Sequence, residues 1–103
     1  MNTFTDREKA FEAKFAQDSE VQFRVYARRN KILGLWAAEL LGKDGGEAEN
    51  YAKEVVKSDM EEAGDEDVIR KVQGDLGSLA SDAEIRTKLN EALTQAKKEL
   101  AAK

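Results

Sequence analysis

The chain has 103 residues, 17 Lys and Arg against 21 Asp and Glu for a net charge of −4, and no cysteine, histidine or proline. That length supports about one domain with one modest core. Without Cys or His it lacks disulfides, a thiolate nucleophile, the usual ligands for zinc, copper or non-haem iron, and the common general base near neutral pH. Metalloenzyme and catalytic-triad chemistry are therefore poor readings, and the net negative charge opposes life on nucleic-acid phosphates.

With 37% charged residues and only seven glycines, the sequence suits helices joined by short connections. Thr5-Asp6-Arg7-Glu8 has the capping-box arrangement, which starts a helix near Asp6. From there to Leu41 the only glycine is Gly34, so one long helix or two nearly collinear ones run to a stop at Gly42, with Gln17-Asp18-Ser19 as the expected break. The first half carries a narrow stripe of Phe4, Phe11 and Phe15, too thin for a core. The second broadens to Val21, Val25, Ile32, Leu33, Leu35, Trp36, Leu40 and Leu41, and is expected to be buried with Trp36 in the core.

After a turn at residues 42–46, Ala48, Tyr51, Ala52, Val55, Val56 and Met60 repeat at helical spacing as far as Ala63-Gly64. Asp65 is placed to cap a short helix with Glu66 and Asp67 in its first turn and Val68, Ile69, Val72 and Leu76 on its face. Ser81-Asp82-Ala83-Glu84 is a second capping box, followed by Ile85, Leu89, Leu93, Ala96 and Leu100. The expected architecture is all-α. Four helices, at about 20–41, 47–63, 66–76 and 82–101, form a small bundle over residues 20–103, and residues 1–19 form an amphipathic segment free to fray as a helix unless it docks.

No phosphate-binding loop is present, and Asp65-Glu66-Asp67 lacks the oxygen ligand and glycine of a calcium loop, so helix capping is its expected role. Between Glu39 and Asp67 there are eleven acidic residues against Lys43, Lys53 and Lys57. A solvated face explains them better than a catalytic pair such as Glu61 and Glu62, since adjacent helical residues diverge. Arg24, Arg28, Arg29 and Lys31 form a basic cluster, read evenly as pairing with the acidic helix or as an anion or partner site. Phe anchors with Arg7, Lys9 and Lys14 around them are what a helix that docks in a partner's groove looks like, the competing reading being that the helix folds back on the bundle.

The strings Phe4-Thr5-Asp6-Arg7-Glu8-Lys9-Ala10-Phe11-Glu12-Ala13-Lys14-Phe15-Ala16, Ala27-Arg28-Arg29-Asn30-Lys31-Ile32-Leu33-Gly34-Leu35-Trp36-Ala37-Ala38-Glu39-Leu40-Leu41-Gly42, Tyr51-Ala52-Lys53-Glu54-Val55-Val56 and Ala63-Gly64-Asp65-Glu66-Asp67-Val68 closely resemble the zeta subunits of alphaproteobacterial ATP synthases, and the resemblance spans essentially the whole chain. It implies a four-helix bundle carrying an N-terminal inhibitory segment that enters the interface of the alpha, beta and gamma subunits of the catalytic head and blocks rotation in the hydrolytic direction. Here that role falls to residues 2–18. Phe4, Phe11 and Phe15 would anchor, Arg7, Lys9 and Lys14 would pair with acidic groups on the head, and Glu8 lies in the same contact segment. Weak adenine-nucleotide contact, implied for some of the family, would fall at Arg24, Arg28, Arg29 and Lys31, with no other cofactor.

The expected protein is a non-enzymatic regulator, monomeric when free, cytoplasmic, and peripheral to the inner membrane through the synthase. Its uncharged run of residues 32–38 is far below the roughly 20 residues that cross a bilayer, and Met1 to Asp6 has no signal-peptide pattern. The alternative function is an adenine-nucleotide-sensing or other interaction module without inhibitory activity. The mitochondrial inhibitor protein, analogous in role, is described as histidine-gated by pH, a switch this chain cannot use.

Overall fold

The computed structural model describes residues 3–58 and 65–102, with side chains from residue 7 onward. Five α-helices follow in order: α1 (Thr3–Gln17), α2 (Ser19–Leu40), α3 (Gly45–Ser58), α4 (Glu66–Leu76) and α5 (Asp82–Ala101), with a single 3₁₀ turn at Gly77–Leu79. No strand occurs among the described residues. The last four helices form the expected small bundle, and α1 precedes it. The side chains of Phe4 and Thr5, the pair Glu61 and Glu62, and the expected third-helix end at Met60, Ala63 and Gly64 lie outside the described residues.

Local chemistry accounts for most of the boundaries. Asp18 adopts an extended conformation between α1 and α2, and its carboxylate accepts from the N–H groups of Glu20 (2.9 Å) and Val21 (3.3 Å), so the chain breaks within the expected tripeptide. Helix α2 ends in a Schellman arrangement. The N–H of Lys43 donates to the Ala38 carbonyl at 2.9 Å and that of Gly42 to Glu39 at 3.1 Å, with Gly42 at φ +77°. At α5 the Ser81 hydroxyl accepts from the Glu84 N–H and the Glu84 carboxylate accepts from the Ser81 N–H, both at 3.1 Å, completing the box.

Two expected starts are corrected. The backbone is already helical from Thr3, which places Thr5 and Asp6 inside α1 rather than at its cap. Asp65 occupies the cap position of α4 but makes no side-chain cap bond. Its backbone is helical and its carboxylate instead accepts from Arg29 Nη1 at 2.9 Å, a charge-assisted bond stronger than a neutral cap.

The core gathers Leu33, Ala37 and Ala38 of α2, Tyr51 and Val55 of α3, Val68, Ile69, Val72 and Leu76 of α4, and Ile85 and Leu89 of α5. The α2 face differs from the expected one. Val25 and Leu33 are buried as expected and small residues fill the rest of its inner seam, while the other large ones flank it: Ile32, Leu35 and Trp36 are half-buried, and Leu40 is 40% exposed. Trp36 packs against the edge of the core instead of lying within it. The reason is Gly34. A Cβ there would stand 2.7 Å from the Ala52 Cα, so α2 and α3 meet backbone to backbone, and a bulkier seam would not close.

Candidate docking helix and its seat

Helix α1 is amphipathic with a sparse apolar side, and it rests on α2 and α5. Phe15 meets Tyr26 of α2 edge-on, with ring centroids 5.7 Å apart, while Lys97 of α5 stands with Nζ 4.5 Å from the Phe15 centroid. The same ammonium lies 3.2 Å from the Glu12 carboxylate. Gln22 Nε2 donates to the Phe15 carbonyl at 2.8 Å and ties the bend between α1 and α2. Phe11 is half-buried between two open clefts, one lined by Thr94, Lys97 and Ala101, the other by Val21, Arg24 and Leu100.

Such contacts are individually small. An edge-on aromatic pair contributes about 0.5–1.5 kcal/mol, a partly exposed cation–π contact about 0.5–1 kcal/mol, and a half-exposed ion pair about 0–1 kcal/mol. Phe11 and Phe15 thus sit on their own bundle, as the competing reading had it, through contacts that a partner can match. Arg7, Lys9 and Lys14 point to water and make no ion pair among the described residues, whereas Glu8 is half-buried beside Phe11. Helix α1 therefore presents partly covered aromatics, with the exposed Arg7 and Lys14 one turn from Phe11 along its stripe and Lys9 on the opposite side.

The basic cluster of α2 is braced by carboxylates on every member. Arg24 bonds Glu20 at 2.8 Å, one helical turn away. Arg28 grips Glu99 of α5 with two bonds, of 2.7 and 3.1 Å, which hold its guanidinium firmly protonated. Lys31 reaches Glu49 at 3.5 Å. This last pair goes to the acidic third helix. Arg29 is 1% exposed, stacks on the Tyr26 ring at 4.7 Å, donates to the Asn30 Oδ1 at 2.9 Å and pairs with Asp65.

Among the described residues the acidic side chains of segment 39–67 are mostly exposed, yet they also supply ties between helices. Arg86 donates two hydrogen bonds, of 2.9 and 3.0 Å, to the Glu66 carboxylate and holds that carboxyl below its usual range. Asp67 departs from the expected solvated face, its carboxylate being only 10% exposed. On the far side, the Tyr51 hydroxyl donates to Asp75 at 2.8 Å and Lys71 donates to the same oxygen at 2.9 Å. Burial, joined by the carboxylate, pushes the Tyr51 hydroxyl far above its ordinary pKa. Burial also opposes ionisation of Asp75, but the two hydrogen bonds together outweigh it and leave the carboxyl low.

Three features escaped the sequence reading. Arg29 reads there as one more surface cation of a basic run, and its counter-charge lies 36 residues away. Lys97, the residue that seats α1, reads as one of many charged positions on α5. Phe23, 58% exposed on α2, falls off the buried face set by Val25, Arg29 and Leu33, and that off-register position is the signal that would have marked it as exposed.

No curated protein matches the sequence. A protein whose structure was determined in solution by NMR is 57% identical, with a TM-score of 0.73, over 77% of this chain and 93% of its own. The sequence model of the ATPase inhibitor subunit zeta matches residues 1–99, nearly the whole chain and including all of α1. That match over residues 1–99 makes the chain a member of the ATPase inhibitor subunit zeta family.

Proposed function

We propose that the chain restrains ATP hydrolysis by inserting α1 between the alpha, beta and gamma subunits of the synthase's catalytic head, where it blocks rotation in the hydrolytic direction. The observation that carries this reading is the split character of α1: cations Arg7, Lys9 and Lys14 in water, and Phe11 and Phe15 only half covered. Cations steer a helix toward an acidic surface, and aromatic anchors supply most of the affinity once it arrives. Residues 1–19 act as the docking segment, Phe4 extending its stripe and Glu8 flanking it, and residues 20–103 act as the folded body that presents it. The chain works without chemistry of its own, as a monomer when free, held near the inner membrane through the synthase.

The basic cluster of α2 is read as bracing, because each member already bonds a carboxylate, Arg24 that of Glu20, Arg28 that of Glu99, Lys31 that of Glu49 and the buried Arg29 that of Asp65. The test is ATP hydrolysis by the cognate catalytic head with the full chain and with a chain beginning at Ser19. Inhibition by the first and none by the second is expected. Equal inhibition by both would place the inhibitory surface on the bundle and overturn the docking role of α1.

A further inference from the structure

We propose that α1 is a self-docked strap: the aromatic face that serves docking is held shut against α2 and α5 by Lys97, and the chain opens at Asp18 to release it. This inference rests on the docking role of α1 and assigns that role its regulation. One ammonium makes two of the holding contacts, since Lys97 Nζ lies over the Phe15 ring at 4.5 Å and beside the Glu12 carboxylate at 3.2 Å. Tyr26 closes the other side of Phe15. Between α1 and α2 a single residue, Asp18, is non-helical, at φ −105° and ψ 109°. Backbone hydrogen bonds run on through it, from Asp18 N–H to the Lys14 carbonyl at 2.9 Å and from Gln22 N–H to the Asp18 carbonyl at 3.0 Å. The bend is therefore one set of dihedrals wide, which suits a hinge.

The closed form leaves Arg7, Lys9 and Lys14 exposed. Recognition then runs in two steps. The cations meet an acidic partner surface while the strap is shut, and the aromatic anchors follow only when α1 lifts from Lys97 and Tyr26. A partner must therefore supply contacts that replace those of the seat, so that closure lowers the apparent affinity by the fraction of chains that are open.

Two variants test this against the full chain. Lys97→Glu sets like charges against Glu12 and removes the cation over Phe15. It should speed amide exchange across residues 9–17 by about three- to tenfold, the span of a lost contact pair of this kind, leave the α2–α5 amides unchanged, and lower the concentration needed for half-inhibition of hydrolysis by a similar factor. In the second variant Glu12→Cys and Lys97→Cys, the only thiols in the chain, are joined by a short cleavable bis-thiol linker. The linked chain should not inhibit, and cleavage should restore inhibition. Wild-type exchange rates in Lys97→Glu, or full inhibition by the linked chain, would overturn the strap. Faster α1 exchange in Lys97→Glu with no inhibition by any form would support the strap and sink the docking role instead, so the two failures are distinct.

Discussion

The seam between α2 and α3 and the seat of α1 are both helix pairs, yet they are built on opposite plans. The seam is made from the smallest side chains in the protein, Gly34 against Ala52, and brings two backbones together with nothing between them. The seat is made from long or polarisable ones, Phe15, Tyr26 and Lys97, at ring-to-ring and cation-to-ring distances of 4.5–5.7 Å. Close packing of small residues leaves no alternative arrangement of similar energy, because any separation opens a void. Long side chains over an exposed ring can let go and find equivalents elsewhere. The difference teaches where this fold is fixed and where it is adjustable.

The sharpest way to break the comparison is to put a methyl group into the seam. In an open helix position Gly→Ala stabilises, by up to about 1 kcal/mol of helix propensity. At Gly34 the added Cβ meets Ala52 Cα at 2.7 Å and Val55 Cβ at 3.3 Å, and backbone cannot step aside. Overpacking of this kind costs about 1–3 kcal/mol and should win, so Gly34→Ala is expected to lower the urea midpoint with little change in slope. Gly74→Ala, where a Cβ meets nothing within 4 Å, is the control and should raise it. Equal signs at the two positions would mean that the seam is looser than its geometry.

The next effect comes from Asp65→Ala. It leaves Arg29, 2% exposed at its side chain, without the carboxylate that Nη1 bonds at 2.9 Å. Removing one partner from a fully buried pair costs about 3–5 kcal/mol. Asp65 itself is 53% exposed, so water can enter and the expected loss is smaller, about 1–2 kcal/mol in chemical unfolding.

These two positions also mark the limit of what the sequence could tell. The helices were legible because their ends are written in local chemistry: Ser81 with Glu84, Gly42 after Leu41, Asp18 before Glu20. So was the all-α class, since periodic apolar residues and the absence of proline leave little else. Gly34 looked like a tolerated irregularity because its meaning lies on another helix, at Ala52, and Arg29 looked solvated for the same reason. The aromatic stripe of α1 was visible at spacings of seven and four. What it rests on was not, because Lys97 is 85 residues from Glu12 and no periodicity in α5 distinguishes it from its neighbours.

A smaller effect separates the bundle from its solvent. Asp75 titrates below its ordinary range in the folded chain because Lys71 and Tyr51 bond its carboxylate. A depressed folded pKa means stability that is present above the ordinary aspartate value of about 4 and is lost as pH falls through the folded value. Unfolding free energy should therefore decline with acid below about pH 4, and Asp75→Asn should flatten part of that decline, by less than about 1 kcal/mol given the exposure of the group. Between pH 6 and 8 stability should be level, since the chain has no histidine. A step in that interval would point to a carboxyl pushed far upward.

The largest change by mass should cost little for its size. Beginning the chain at Ser19 removes all of α1, yet among the described residues none of the core cluster belongs to that helix. Among the described residues its contacts are one ring pair, one cation–π contact, one ion pair and one bond from Gln22 to a carbonyl, with Phe11 and Phe15 only half covered. Truncation also removes Lys14, whose carbonyl accepts from Asp18, but leaves α2 to start at Ser19 without its Asp18 cap, a loss of about 1 kcal/mol by itself. A chain beginning at Asp18 retains that cap and isolates the strap, and its unfolding midpoint should fall by less than that of Gly34→Ala. If removing α1 destabilised the bundle more than one methyl group in the seam, the helix would be a structural member of the fold, and its release would be too costly for a docking element.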